Sequence, residues 1–504
     1  MTDHDSPLGL SQADLARIDE LLAAEGITDA APGAIAHRPG ATDAPVSYAQ
    51  ELLWMLQESQ PWLSAYNMWL SRRIRGPLDQ AVLAQSLRLL IERHEGLRTT
   101  FHPGDPHPFQ RVGSADDFQI QTVDLRALPE SERLAAGRRK LEEVLRAPFD
   151  LGRTAAVRAT LIALDGEDWL FALVSHHIIM DGWSLGILIR ELSAVYAALS
   201  AGRTPTLPAI PISYADYAVW ERETLTGERL DDNLGYWRQR LDGALTTIAL
   251  PADRPRGDRN DQGGGDVRRL LPPALLEEIK VFAQASGATL YMTMVAAFQT
   301  WLSRVSGQDD IVIGSAIGGR PRPETHNVIG YFSGALPLRS RFDTDPSFAE
   351  VLAEVRESVL GALEHQEVPV ERLSLELARD QAMAGQGLFQ VVLTMADPTP
   401  ATLALGDCRI EAASVSPGAA KFDLTLFPSE RPEGLSLFLS YRTSLFDEAS
   451  AASFLEQIAT LLTAAVRSPA TPVSALPLLS PAAAAAQARW NETELPLAMR
   501  WCRP

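Results

Sequence analysis

Apolar positions along the chain follow two rhythms. Leu83, Leu87, Leu90 and Ile91 recur at three- and four-residue spacing across residues 80–94, which predicts an amphipathic helix. "WSLGILIRELSAVYAAL", just after Gly182, and "SFAEVLAEVRESVLGAL", from Ser347, carry the same spacing and predict two more. Residues 169–174, "WLFALV", form instead a short unbroken apolar run of the length of a buried strand. "DIVIGSAI" at 310–317 and "GLFQVVLTM" at 387–395 read the same way. Nearer the start, Ser11 and Asp14 resemble a capping box ahead of Leu15, Ile18, Leu21 and Leu22 on one helical face, with Gly26 as the stop.

Stretches rich in Ala, Gly and Pro interrupt these rhythms at residues 28–45, 201–211 and 251–266. They divide the chain into an N-terminal helix and linker (1–45), a first lobe (46–225), a second lobe (226–480) and an alanine-rich tail (481–504). Helix and strand signals mix in both lobes and no fixed-period repeat is present, so the expected class is α/β with two comparable lobes.

Composition narrows the function. Of 504 residues, 45 are Lys or Arg and 64 are Asp or Glu, a formal charge of -19. Nucleic acid is therefore excluded as the main partner, because phosphate binding needs a dense cationic face. The basic run Arg72, Arg73, Arg75 is the sort of patch that docks an acidic partner, although a solvated face is the commoner fate of such a run. Only Cys408 and Cys502 are present, which excludes a disulfide framework and suits a reducing cytosol. The start, "MTDHDSPLGL", has acids where a signal peptide needs positive charge, and no uninterrupted apolar run reaches the ~18 residues of a membrane span. A cytoplasmic monomer without membrane contact is expected.

The candidate chemistry lies at residues 174–186, "VSHHIIMDGWSLG", between the predicted strand and the predicted helix. Neighbouring strand side chains point to opposite faces, so one of His176 and His177 faces a cleft and the other is packed. An imidazole with a reference pKa of about 6.5 can accept a proton near neutrality. Asp181 can orient that ring directly or tie the turn down through an arginine, and Gly182 leaves room for a reacting group. The same stretch also fits G-x-S-x-G through Gly182, Ser184 and Gly186, the elbow of serine hydrolases. That elbow follows its strand at once, whereas His177 to Gly182 intervene here. Its histidine would have to be His326 or His365, and no oxyanion loop of the HGGG kind precedes Ser184. No metal-ligand spacing and no phosphate loop is found.

His176-His177-x-x-x-Asp181-Gly182 resembles the HHxxxDG signature of nonribosomal peptide synthetase condensation domains, and its HxxxDG part is shared with chloramphenicol acetyltransferase-like acyltransferases. Further stretches resemble family motifs in the family's order: "SYAQELLWML" at 47–56, "RHEGLRTTF" at 93–101, "YADYAVW" at 214–220, "IGYFSGALPLR" at 329–339 and "HQEVPVERL" at 365–373. The likeness covers residues 47–480. Leu52 departs from an arginine of the first motif, Ser333-Gly334-Ala335 replace V-N-T, and residues 379–390 lose the central polar and proline positions of the pattern.

The resemblance implies a pair of chloramphenicol acetyltransferase-like lobes in a V around a central channel. It implies a donor acyl or peptidyl thioester on the phosphopantetheine arm of one carrier protein, and an amine or hydroxyl acceptor brought by a second. The chain itself would bind no cofactor. His177 would face the channel as base or positioning group, and His176 would be structural. Asp181 would form a salt bridge that shapes the turn, with Arg320 as first candidate partner and Arg98 as second. "ARWNETELP" in the tail resembles the linker to an adenylation domain, so the chain reads as free-standing or excised. Two alternatives are a serine hydrolase or thioesterase using Ser184, and a non-catalytic recruitment domain of the same fold. Such domains tend to lose the second histidine, which is intact here. A sister epimerisation domain would carry an E-G-H-G-R-E-like block, which is absent.

Overall fold

The computed structural model describes residues 33–490 except 117, 245–246, 258–262, 321, 378–386, 396–400, 414 and 416–417, together with residues 17–18 and 20–21. Most of the N-terminal helix, the departure at 379–386, Cys502 and the tail beyond Trp490 lie outside the described residues. Ile18 and Leu21 are described, and both are helical and buried.

Among the described residues the strands form three sheets. The first has the order Arg409–Ala412, Asn67–Arg75, Asp168–His176, Val157–Asp165, Ile120–Asp124, antiparallel except for its last pair. Asp168–His176 is central and buried along all but its first residue, which is why its sequence is an unbroken apolar run and does not alternate. Its register sets Asn67 opposite His176 and Arg75 opposite Asp168. The second sheet runs Gly334–Arg341, Asp310–Ile317, Val391–Leu393, Leu424–Arg431, Gly434–Arg442, Gly264–Leu271. A third, small sheet joins Asp43–Pro45, Phe109–Val112 and Thr99–His102.

The predicted helices appear as Gln80–Arg93, Gly182–Ser200 and Phe348–Glu364. Helix Leu290–Ser306 is buried on every side from Leu290 to Ser303, so it shows no polar stripe and sits inside the second core. Thr289 caps its start through Met292 N at 3.2 Å, and Gly307 ends it at φ 69°, a left-handed turn that glycine adopts without a Cβ penalty.

Two expectations change. Asp43–Pro45, read as linker, pairs with Phe109–Val112. Only Val391–Leu393 of "GLFQVVLTM" is strand, because its parallel ladder with Leu424–Leu426 is no longer than that. The basic run is part of an ion-paired surface, the commoner fate of such a run: Arg73 donates to Asp168 at 2.8 Å, and Arg75 lies 3.5 Å from Glu411. Helix Glu448–Arg467 is long and apolar enough to cross a membrane, yet Phe454, Leu455, Ile458, Leu461 and Leu462 pack into the second core.

Two apolar cores result, and the chain crosses between them. The first core contains Val328, Ile329, Tyr331, Phe332, Leu403, Leu405 and Ala413 from the second half of the sequence. Strand Arg409–Ala412 completes the first sheet by pairing with Asn67–Arg75, and the chain then returns to enter the second sheet at Leu424.

Candidate active site

The central strand delivers the histidines. His176 is its last residue, wholly buried between the rings of Tyr66 and Phe149, with centroids 6.2 and 6.3 Å away. Its Nδ1 accepts from Ile178 N at 3.1 Å. Burial, then the nearby Lys421 ammonium, holds its pKa down at about 3, so the ring is a neutral strut. His177 opens a short 3-10 turn, His177–Ile179, with its N–H on Tyr66 O at 2.8 Å. It keeps partial solvent contact, and Tyr331 meets its ring edge-on at 4.8 Å. Among the described residues its Nδ1 has no hydrogen-bond partner. Burial first, then Lys421 and His176, pushes its pKa well below the usual imidazole value, so the ring stands neutral.

Asp181 caps helix Gly182–Ser200 and does not bond either histidine ring. Its carboxylate accepts from Ser184 N at 2.7 Å, from Arg320 Nη2 at 3.1 and 3.2 Å, and from the N–H groups of Phe332 and Ser333 at 3.1 Å. Arg320 also donates to Ser184 Oγ at 2.7 Å and to Val328 O at 2.8 Å, and its guanidinium lies 4.0 Å over the Phe332 ring. Both charged side chains are sealed from solvent, at 0% and 1% exposed. Of the two roles open to Asp181 in the sequence, the arginine tie is the one the structure holds. Arg98, the second candidate partner, instead donates to Gly113 O at 2.5 Å and lies 3.8 Å from Glu95. It sits in the short 3-10 turn before the small sheet, and Arg320 already fills the space at Asp181.

Gly182 is exposed, and a Cβ built on it meets nothing within 4 Å, so open space adjoins the start of the helix. Ser184 is wholly buried; besides holding Arg320, its Oγ donates to Gly330 O at 2.9 Å and accepts from Gly330 N at 3.1 Å. The two histidines a hydrolase would need are elsewhere. His326 meets Arg320 O at 3.2 Å, and His365 stacks on Tyr236 at 4.1 Å with Nδ1 3.2 Å from Asn233. Ser184 is a structural hydroxyl.

The family-like motifs converge on this turn. Gln50 of "SYAQ" donates to Ile178 O at 3.0 Å, and Tyr214 of "YADYAVW" donates to Tyr331 O at 2.6 Å. His94 and Arg93 of "RHEGLRTTF" hold Glu191 of the site helix at 2.8 and 3.1 Å. Leu52 is half-buried on helix Tyr48–Ser59. Four neighbours were not singled out from sequence: Tyr66, Tyr331, Glu371 and Lys421. Tyr331 donates to Glu371 Oε1 at 3.0 Å, and burial pushes Glu371 up to about 7 and Tyr66 up to about 12. Tyr331 and Glu371 do lie inside family-like motifs, which was the available signal; Tyr66 and Lys421 lie in none. Among the described residues no group of His, Cys, Asp and Glu is arranged to hold a metal.

A chloramphenicol acetyltransferase-like α/β architecture, with a histidine at the mouth of a strand-to-helix turn and a buried aspartate–arginine lock behind it, defines an acyltransferase-fold protein. The chain belongs to the condensation-domain family of nonribosomal peptide synthetases, whose model matches residues 41–487. It is 39% identical over 460 residues to a linear gramicidin synthase polypeptide of Brevibacillus parabrevis, covering 90% of this chain and 6% of that one. It is 38% identical over 458 residues to phosphinothricin tripeptide synthetase PhsC of Streptomyces viridochromogenes, covering 90% and 42%. The chain therefore spans less than half the length of these relatives. Among solved structures it is similar to the X-domain from teicoplanin biosynthesis, with TM-score 0.80, 28% identity, and coverage of 89% of this chain and all of that one.

Proposed function

We propose that the chain joins a carrier-bound acyl or peptidyl thioester donor to an amine or hydroxyl acceptor brought by a second carrier protein, in the cytoplasm, with His177 as the group that receives or positions the acceptor. The observation that supports this most is the contrast at the turn. Asp181, Arg320 and Ser184 are bound to one another or to backbone, and His176 is sealed in, while His177 stays neutral and partly accessible.

Attack of the acceptor on the thioester carbonyl gives a tetrahedral intermediate, which collapses to the amide or ester and a free thiol on the donor arm. Holding the two reactants together supplies roughly 7 to 11 kcal/mol of the barrier reduction. An α-amino acceptor, with a pKa of about 7.7 to 8.0, is partly free at neutrality and needs His177 mainly for position. A hydroxyl acceptor must lose its proton during attack and needs His177 as base.

The test is product formation with loaded donor and acceptor carriers. His177→Ala is expected to lower the rate by about 100-fold or more with a hydroxyl acceptor, the low end of general-base effects, and by less with an amine. Because His177 titrates well below its usual value, the wild-type rate with the hydroxyl acceptor holds level as the pH falls through about 6.5. A fall in rate there contradicts the neutral-base role. Labelling of Ser184 by a fluorophosphonate would revive the hydrolase.

The likeness to the teicoplanin X-domain favours one second reading, a recruitment domain of the same fold without chemistry. Intact wild-type chain that binds loaded carriers yet forms no product with either acceptor supports that reading.

A further inference from the structure

A histidine that receives or positions an acceptor has to be aimed, and the turn fixes the main chain of His177 without fixing its ring. The His177 N–H donates to Tyr66 O at 2.8 Å, and its carbonyl accepts from Met180 N at 3.3 Å. No comparable tie reaches the imidazole. Among the described residues Nδ1 has no hydrogen-bond partner, and Asp181 is bound to Arg320, Ser184 N and the N–H groups of Phe332 and Ser333. What meets the ring is Tyr331, edge-on at 4.8 Å with an interplanar angle of 67°, an arrangement that aromatic pairs favour.

Tyr331 is itself gripped at both ends. Its carbonyl accepts from the Tyr214 hydroxyl at 2.6 Å, and the N–H of Gly330 before it donates to Ser184 Oγ at 3.1 Å. Its own hydroxyl donates to Glu371 Oε1 at 3.0 Å. Glu371 comes from helix Val370–Leu377, whose first turn is closed by Leu373 N on Pro369 O at 3.1 Å. The tyrosine is 9% exposed and the glutamate 6%. The second carboxyl oxygen, Oε2, is buried and has no hydrogen-bond partner among the described residues. A buried carboxyl that fills one oxygen and leaves the other empty is costly to folding, which points to the geometry it imposes on Tyr331 rather than to stability.

We propose that Tyr331 and Glu371 are positioning residues for His177: the carboxyl fixes the phenol, and the edge of the phenol ring holds the imidazole toward the acceptor. What His177 then does rests on the acyl-transfer reading above. The imidazole comes from the end of the central strand of the first sheet, the phenol from residues 320–333 and the carboxyl from a helix of the second half. The ring is aimed when all three are in place.

The test is the full chain with loaded donor and acceptor carriers, read as kcat and KM with the hydroxyl acceptor. Tyr331→Phe keeps the ring and cuts its tie to Glu371, and Glu371→Leu cuts the same tie from the other side. Each is expected to lower kcat by about tenfold or more with KM within about threefold, since misplacing a reacting group costs up to about 100-fold. Glu371→Gln, whose amide oxygen still accepts from Tyr331, recovers most of that loss. In a His177→Ala background neither Tyr331→Phe nor Glu371→Leu lowers the rate further, because no ring is left to aim. Wild-type kcat in Tyr331→Phe, a loss confined to KM, or an equal loss in the His177→Ala background overturns the proposal. Tyr331→Phe removes a single oxygen atom and decides the matter if Glu371→Leu does not fold.

A second readout needs no turnover. With histidine labelled with carbon-13 at Cε1, and the His177 signal assigned from His177→Ala, the wild-type chain is expected to show one narrow line. Tyr331→Phe broadens or splits it as the ring samples further orientations, and an unchanged line overturns the proposal. A wild-type chain that makes no product contradicts the acyl-transfer reading, and the line shape alone then decides whether Tyr331 and Glu371 hold the ring.

Discussion

Asp181 shows how a single carboxylate can be structural inside an active-site motif. Three backbone N–H groups and one guanidinium converge on it, from the helix it caps and from residues 320–333. Arg320→Ala leaves that carboxylate buried without its counter-ion, and is expected to cost about 3 to 5 kcal/mol in urea unfolding. A loss below about 1 kcal/mol would mean that the pair is not a lock. Glu371 allows a pH test at the same scale. Its folded pKa of about 7 lies above the ordinary carboxylate value of 4.5, so between these values the folded chain holds a proton that the unfolded chain has released. Stability therefore falls as pH rises through that window, by on the order of 3 kcal/mol from this residue. His176 acts oppositely, since its folded value of about 3 lets the unfolded chain gain a proton first as pH falls below about 6.5. Glu371→Gln isolates the carboxyl contribution, because the amide still accepts from Tyr331 but does not titrate. The variant should gain stability over wild type between about pH 5 and pH 8, read from urea midpoints at both.

At the scale of elements, the stretch from Arg320 to Ser333 is a strap laid over the start of the site helix. Gly330 lets it lie flat: a Cβ there would fall 1.9 Å from Tyr214 Cδ2, and Tyr214 cannot turn away while its hydroxyl is tied to Tyr331 O at 2.6 Å and Ser47 Oγ at 2.9 Å. Gly330→Ala is expected to lower stability by about 1 to 3 kcal/mol or more, against little change for Gly166→Ala, where a Cβ meets nothing within 4 Å. Matching unfolding midpoints for the two would contradict the close approach. The helix under this strap was legible in the sequence because a buried stripe imposes a period, and so was strand Asp168–His176, whose burial on both faces leaves an unbroken apolar run. The histidine pair and Arg320 were legible through the motif resemblance. Asp43–Pro45 was not, since three residues carry no period and owe their strand geometry to a distant partner. Tyr66 and Lys421 were invisible for a related reason: what makes them neighbours is the return of the chain between sheets, which no local pattern encodes.

That crossing decides how the whole molecule holds together. Division by chain order suggests two lobes that could fold apart, but each half supplies part of the other's core. Val328, Ile329, Tyr331 and Phe332 cover the first core, Arg409–Ala412 completes its sheet, and Ile18, Leu21 and Leu225 join the second. A fragment ending at residue 225 would leave strand Asn67–Arg75 with an unpaired edge and Asp181 without Arg320. Such a fragment is expected to retain far-UV helix signal while losing near-UV signal and binding hydrophobic dyes, whereas the full chain melts in one transition. Arg320→Ala in the full chain removes a tie between the halves without touching either sheet. It should broaden that transition or split it in calorimetry, because the apolar contacts and the crossover strand then couple the two cores without the buried ion pair. A sharp single transition at lower temperature in Arg320→Ala would instead place the coupling in the apolar contacts of Val328–Phe332. Native-like near-UV signal in the fragment would show that the first core does not need the second half at all.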